Sequence, residues 1–325
     1  MPYWYKNLLG LIAHFARNAS FLTTIYYLLY TTYMDKFSAL WLSHSSISTF
    51  KACPRAYYLT QLYRDPRNGH KISLTSPAMS LGSAVHEVLE SLSHLPVEVR
   101  FKESLIDRFQ ISWDKITGLA GGFDNLETEA HYKKRGEEML RRVINHPGPL
   151  ANKAVKIKSD LPSFPLSEAD NLILCGRLDW LEYLPAQTGF EATDSVHIID
   201  FKTGVGEEKE GSLQLPIYHL LAHNCQSRPV AKASYWYLER DDMPIEKKLP
   251  DLANSTAQLI KIGKEIKLAK ALNRFKCPSG ATGCKACQPY EKILLGQATY
   301  VGEGRYGADV YTLASNSALP ESEIL

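Results

Sequence analysis

The spacing of the apolar residues changes near residue 150, and this change limits which folds are compatible with the chain. Before it, apolar residues recur at helical spacing, most clearly at Leu81, Val85, Leu89 and Leu92. After it, short segments rich in β-branched and aliphatic residues alternate with helical ones. Helices followed by alternating strands and helices predict an α/β core that is preceded by a helical insertion.

The same patterns predict the individual elements and the domain organisation. Helices are expected at 45–62, 80–92, 97–116, 127–144, 211–224 and 251–272. Strands are expected at 154–159, 171–183, 196–202 and 231–239. The chain has 325 residues, which allows one elaborated domain or two small ones. We predict a main domain at 35–298, with the helical insertion at about 95–150, and a carboxy-terminal tail at 299–325.

Residues 1–34 differ in composition from the rest of the chain. No charged residue lies between Arg17 and Asp35, but polar residues interrupt the apolar run, whereas a membrane-spanning helix needs about 20 apolar residues. No signal-peptide cleavage site is evident. We interpret the segment as a packed amphipathic extension or as an over-extension upstream of Met34, with a membrane anchor as the minor alternative. We therefore expect a cytoplasmic protein with no membrane partner.

The apolar run Val196–Ile199 leads directly into the sequence Asp200-Phe201-Lys202. Side chains alternate along a strand, so Asp200 and Lys202 share a face. A turn centred near 189–190 would place Asp179 opposite Asp200 across a hairpin. Two adjacent carboxylates favour a cation between them, and a lysine beside them can position a water molecule or stabilise a phosphorane-like transition state. The set suits hydrolysis of phosphodiesters assisted by Mg²⁺ or Mn²⁺, although an isolated Asp-x-Lys is more often a strand end with a solvated charge.

Two helices carry polar pairs that could complete such a site. His86 and Glu90 are four residues apart and share a helix face, so His86 could bind the metal with Glu90 in contact with it. Gln214 and Tyr218 form a second such pair directly after the Asp-x-Lys strand. Each pair alone is more often an ordinary helix surface. The order of the four groups along the chain favours a functional site.

Four ordered motifs resemble the RecB-type branch of the PD-(D/E)XK nuclease superfamily: Gly82-Ser83-Ala84-Val85-His86-Glu87, Gly176-Arg177-Leu178-Asp179, Asp200-Phe201-Lys202-Thr203-Gly204 and Gln214-Leu215-Pro216-Ile217-Tyr218. The resemblance covers roughly residues 45–290. It implies a restriction-endonuclease-like core, in which helices flank a mixed central sheet, and cleavage of DNA with a divalent metal. The residues that match the family's metal ligands are His86, Asp179 and Asp200. Those that match its catalytic set are Asp179, Asp200, Lys202, Gln214 and Tyr218, with Asp-x-Lys in place of the commoner Glu-x-Lys.

Four cysteines form a second candidate site: Cys53, Cys277, Cys284 and Cys287. Four thiolates can close a tetrahedral Zn²⁺ site or hold a [4Fe–4S] cluster, and reduced free thiols are the third interpretation. One upstream cysteine with a carboxy-terminal trio is similar to the iron–sulfur subset of the same nuclease branch. The resemblance implies a 4Fe–4S cluster that acts as a structural clasp, although the spacing within the trio is ordered differently here. Cys175 and Cys225 lie in apolar sequence and are predicted to be buried.

The charge distribution bears on the expected partners. The net charge is only +2, so contact with nucleic acid must come from local basic segments. Two such segments, 131–158 and 261–276, flank the predicted carboxylate site in the sequence, although each could be a solvated helix face. We see no base-reading motif, so no sequence specificity is expected. No Walker A motif is present, so any ATP-driven unwinding must come from a helicase partner.

These features predict a metal-dependent DNA nuclease, most consistent with an exonuclease that acts on single strands or ends in DNA repair or recombination. The alternative is a non-catalytic module of the same fold that binds DNA or a helicase.

Overall fold

The computed structural model describes residues 36–186, 193–304 and 307–313. Its α-helices are α1 (His44–Ala52), α2 (Pro54–Tyr57), α3 (Pro77–Ser91), α4 (Leu105–Trp113), α5 (Leu126–Asn145), α6 (Gln214–Cys225), α7 (Leu252–Ala271) and α8 (Gln288–Leu294). Its strands are β1 (Leu40–Leu42), β2 (Lys71–Leu74), β3 (Ser163–Ser167), β4 (Leu172–Cys175), β5 (Trp180–Leu184), β6 (Ser195–Lys202), β7 (Val230–Tyr237), β8 (Ile245–Lys247), β9 (Thr299–Glu303) and β10 (Ala308–Thr312). The extension predicted at 1–34 and the hairpin turn near 189–190 lie outside these residues. Within them, no helix combines the length and apolarity that crossing a bilayer requires.

The central sheet is mixed and has the strand order β5-β6-β7-β8. β6 pairs antiparallel with β5 and parallel with β7, which α6 connects to it, and β7 pairs antiparallel with β8. Trp180 pairs with Ile199, so the same register brings Asp179 beside Asp200. The predicted α/β class and mixed central sheet are confirmed.

Two apolar cores cover the faces of this sheet, because side chains of the buried strand β6 alternate between them. Ile198 belongs to a core that also includes Leu221 of α6 and Leu259 of α7. Ile199 and Phe201 belong to a second core, which the helices α3, α4 and α5 complete. The end of β6 therefore lies between two helical layers, and that position brings side chains from both layers to one edge of the sheet.

Some predicted elements are interrupted or shorter in the structure. The strand expected at 171–183 is two strands, β4 and β5, and β4 pairs with β1 and β3 in a separate sheet. The segment 154–159 forms only a single bridge, between Ala154 and Glu182. The helix expected at 45–62 breaks at Cys53, whose φ is −166°, because a residue before proline disfavours the helical region.

A third sheet, which the sequence analysis did not predict, joins distant parts of the chain. β10 lies between β2, to which it is parallel, and β9, to which it is antiparallel. Asp309 of β10 accepts hydrogen bonds from Asn68 Nδ2 at 2.8 Å and pairs with His70 Nδ1 at 2.9 Å. The first part of the segment that we set apart as a carboxy-terminal tail thus pairs with a strand near the start of the described chain.

Candidate active site

Helix α3 brings two of the predicted site residues to the end of the central sheet. His86 and Glu90 share one face of this helix, and His86 Nδ1 lies 3.3 Å from Glu90 Oε1. The same nitrogen lies 3.6 Å from Asp179 Oδ1, at the start of β5. One ligand atom from each of the three residues lies within 4.8 Å of the others. A Cβ at Gly82 would lie 3.2 Å from Thr203 Oγ1, so a small residue at position 82 allows α3 to approach β6 closely.

The backbone at the end of β6 holds both sides of this cluster. Asp179 Oδ2 accepts a hydrogen bond from Phe201 N at 2.8 Å. The carbonyl oxygen of Phe201 lies 3.1 Å from His86 Nε2. One residue therefore presents its N–H to the aspartate and its oxygen to the histidine, which fixes both side chains relative to the strand. Sequence reasoning does not identify Phe201 as a site residue, because its contribution comes from the main chain.

Asp200 lies next to the cluster and is held by its own partners. It is only 1% exposed, and its Oδ1 accepts a hydrogen bond from Gln214 Nε2 at 2.6 Å. Lys202 Nζ lies 2.8 Å from Asp200 Oδ2. That oxygen nevertheless has no hydrogen bond of good geometry among the described residues, so it retains capacity for another ligand. Asp200 is not part of the compact group that His86, Glu90 and Asp179 form.

Helix α6 supplies the amide that connects the carboxylate to the lysine. Gln214 donates to Asp200, accepts from Lys202 Nζ through its Oε1, and donates to Tyr218 Oη at 3.3 Å. Lys202 can only donate and the Asp200 carboxylate can only accept, so these two partners fix the orientation of the Gln214 amide. The i, i+4 pair predicted on this helix therefore faces the same site.

Lys202 lies between two carboxylates, only one of which the sequence analysis identified. Its Nζ is 2.9 Å from Glu208 Oε2 and 4.9 Å from the ring centre of Tyr235. Glu208 belongs to the loop between β6 and α6, where several glutamates occur without periodicity. No pattern in the sequence distinguishes Glu208 from its neighbours, so only the folded loop reveals this contact.

Burial and mutual repulsion alter the protonation of the cluster. The pKa of Asp200 is raised to about 8, chiefly by burial and next by the charge of Asp179, while Lys202 opposes the shift. Burial lowers the pKa of His86, but Asp179 and Glu90 outweigh it and raise that pKa well above its ordinary value. Asp200 and His86 thus retain protons more strongly than usual, because too little positive charge lies nearby to balance the carboxylates. Once these protons are released, the carboxylate oxygens and the neutral imidazole are a donor set that fits a divalent cation such as Mg²⁺ or Mn²⁺.

The four predicted cysteine ligands also come together. One sulfur atom from each of Cys53, Cys277, Cys284 and Cys287 lies within 4.8 Å of the others. The extended backbone at Cys53, imposed by Pro54, places that thiol beside the carboxy-terminal trio. At Gly283 φ is +75° and a Cβ would lie 3.2 Å from Cys287 Sγ, so the turn requires glycine there.

The surroundings shift the pKa values of two of these cysteines in opposite directions. Burial raises the pKa of Cys53 to about 12, whereas backbone N–H groups of Cys287 and Ala286 lower the pKa of Cys284 to about 7. Four sulfurs at this separation fit either Zn²⁺ or a [4Fe–4S] cluster. Outside this group, Cys175 is buried and Cys225 is half-buried.

Several basic residues that could have contacted nucleic acid are engaged in ion pairs. Arg135 forms two hydrogen bonds of 2.9 Å with Glu239, and Arg142 Nη1 lies 2.8 Å from Asp242 Oδ1. These pairs fasten α5 to the turn after β7. The contribution of segment 131–158 to a basic surface therefore depends more on its lysines than on these two arginines.

The comparisons with known proteins agree with this arrangement. No curated protein matches the chain at a significant level. A family model described as the PD-(D/E)XK nuclease superfamily matches residues 41–291, which includes every residue of the acidic cluster and all four clustered cysteines. Members of this superfamily are metal-dependent nucleases, and the match covers well over half of the chain. The protein belongs to the PD-(D/E)XK nuclease superfamily.

Proposed function

We propose that this protein is a divalent-metal-dependent deoxyribonuclease of the RecB-type branch, and that it acts as an exonuclease on single strands or ends. The observation that carries the proposal is the convergence of His86, Glu90 and Asp179 beside the buried Asp200–Lys202 pair. Three carboxylates and an imidazole near one ammonium group are costly to bury unless a cation joins them. A structural role alone does not account for this concentration of charge.

His86, Asp179 and Asp200 are the proposed metal ligands, and Glu90 lies close enough to His86 to orient it. When bound, Mg²⁺ or Mn²⁺ would polarise the phosphate and lower the pKa of a water nucleophile. The buried Asp200 Oδ2, which lacks a well-formed hydrogen bond among the described residues, provides an available oxygen on the side that faces Lys202.

Lys202 is the proposed catalytic lysine. Its ammonium group lies 2.8 Å from Asp200 and 2.9 Å from Glu208, and Gln214 restricts it further. An ammonium group fixed in this way can hold a water molecule for attack and stabilise negative charge in the transition state. Tyr218 contributes by supporting Gln214.

The cysteine quartet is proposed to hold a [4Fe–4S] cluster, with Zn²⁺ as the alternative. It would join the α1–α2 junction to the segment before α8, and the Arg55–Glu291 pair, with one contact of 2.6 Å, already links these two regions. Its proposed role is structural, since a clasp between residues so far apart in sequence stabilises the folded chain. DNA is the proposed partner, with a helicase as a candidate second one, in repair or recombination in the cytoplasm.

The test is cleavage of end-labelled single- and double-stranded DNA by anaerobically purified protein, with and without Mg²⁺ or Mn²⁺. Lys202→Ala and Asp200→Asn are expected to lose at least about 10²-fold in rate while remaining folded. The exposed residues Lys102 and Asp107 provide matched controls as Lys102→Ala and Asp107→Asn. Absence of metal-dependent cleavage by the wild type, together with intact DNA binding, would favour the non-catalytic alternative. A colourless protein with one zinc per chain would replace the iron–sulfur assignment.

A further inference from the structure

A cleft of about 280 Å³ opens beside the acidic cluster. Glu90 and Asp179 line it, so it adjoins the group of proposed metal ligands directly. Its other walls come from the turn at Leu92–His94, the loop at 155–162 and the start of β5. None of these walls has a role in the hydrolysis described so far.

Two cations line the same cleft as these carboxylates. Lys156 and Arg177 line the cleft, are exposed, and have no carboxylate within ion-pairing distance among the described residues. Lys156 Nζ lies 2.6 Å from His94 Nδ1. Arg177 uses only its Nε in a hydrogen bond, to the carbonyl oxygen of Asp160 at 3.1 Å, so the terminal amino groups of its guanidinium are available to an anion.

One residue that lines the cleft carries a buried donor without an acceptor. Trp180 lines the cleft and is 2% exposed, and its indole N–H has no hydrogen-bond partner among the described residues. A buried unpaired donor is uncommon and calls for an acceptor that the described residues do not supply. Val155, Ile157 and Leu178 add an apolar surface around it.

We propose, on the basis of the proposed function, that this cleft holds one unpaired nucleotide next to the cleaved phosphodiester. Lys156 and Arg177 bind its phosphate, and the Trp180 N–H donates to one of its oxygens. The volume lies at the lower limit of typical ligand pockets, which suits a group the size of a single nucleotide. The cleft therefore provides a binding site for a nucleotide at the position beside the scissile bond.

The direct test is calorimetric binding of deoxythymidine 5′-monophosphate to the full-length protein. We expect Lys156→Ala and Arg177→Ala each to weaken binding about tenfold or more, because each removes a charge-assisted hydrogen bond. Lys158→Ala, in the same loop but outside the cleft, and Arg141→Ala are matched controls that should bind as the wild type does. Equal binding by all four variants, or no binding by the wild type, would overturn the proposal.

Kinetics on a single-stranded oligonucleotide separate this inference from the proposed function. The double variant Lys156→Ala/Arg177→Ala is expected to raise KM at least tenfold with little change in kcat, and to reduce the salt dependence of binding by about 0.7 in log–log slope for the lost phosphate contact. If the wild type cleaves DNA and the double variant behaves like its controls, the inference fails while the function stands. If the wild type does not cleave, the function fails, and nucleotide binding still decides the inference.

Discussion

The raised pKa of Asp200 makes the stability of the metal-free protein depend on pH. A carboxyl group whose pKa rises on folding, here from 3.8 to about 8, binds its proton more tightly in the folded state. The stabilisation that this tighter proton binding supplies is complete below the pKa of the unfolded state and is lost as the pH rises toward 8. His86, whose pKa is also raised, acts in the same direction, because its proton too is held more tightly in the folded state.

The magnitude follows from these two pKa values of Asp200. Between pH 6 and pH 8 the unfolded carboxyl is fully ionised while the folded one begins to ionise only near pH 8, so the free energy of unfolding falls by about 2 kcal/mol. A divalent cation that occupies the site at 100 times its dissociation constant would restore about 2.7 kcal/mol. Added metal should therefore stabilise the protein most at the higher pH.

Urea denaturation of the metal-free protein at several pH values, with and without Mn²⁺, measures both effects. The control is Asp200→Asn, which cannot ionise at this position and should show a flatter pH dependence and a smaller response to Mn²⁺. A wild-type stability that is constant from pH 6 to pH 8, or an identical slope in Asp200→Asn, would refute the reasoning.

Three further predictions concern other parts of the structure. Cys53→Ala should abolish the iron and the visible absorbance that the proposed cluster would give the anaerobic protein, and Cys175→Ala should retain both. Ser234→Ala should lower the free energy of unfolding by about 1–3 kcal/mol without affecting cleavage. The reason is that the buried His197 Nε2 lies 2.7 Å from Ser234 Oγ and would lose that partner. An unchanged urea midpoint would contradict this prediction. Glu208→Gln should lower kcat with little change in KM, since it releases Lys202 from one carboxylate; equal kcat values would contradict a positioning role.

The sequence contained enough information for the central hairpin but not for the sheets around it. The apolar run before Asp200 and the turn-rich segment after β5 indicate β6 and the register that sets Asp179 beside Asp200, because side-chain alternation and turn position act locally, but the break between β4 and β5 was not predicted. β2, β9 and β10 are short, and β10 pairs with β2 across more than 200 residues of sequence. The pairing of β2 with β10 joins segments that are distant in the sequence, so local patterns do not reveal it.

The candidate site likewise contains residues that the sequence indicates and others that only the folded chain reveals. His86 and Lys202 lie on a strongly patterned helix and strand, and Asp179 directly precedes a strand, so the sequence could indicate all three. Glu208 could not be predicted, because it lies in an irregular loop and contacts Lys202 only after folding. The cleft at Trp180 was also not predictable, because it forms where the loop at 155–162 covers the start of β5.

The most direct test of the account is to locate a bound cation in crystals of the protein soaked with Mn²⁺, by anomalous diffraction. The account predicts one strong peak within coordinating distance of His86, Asp179 and Asp200, and its loss in Asp179→Asn. A peak elsewhere, or no peak at Mn²⁺ concentrations that support cleavage, would contradict the claim that these side chains share one ion.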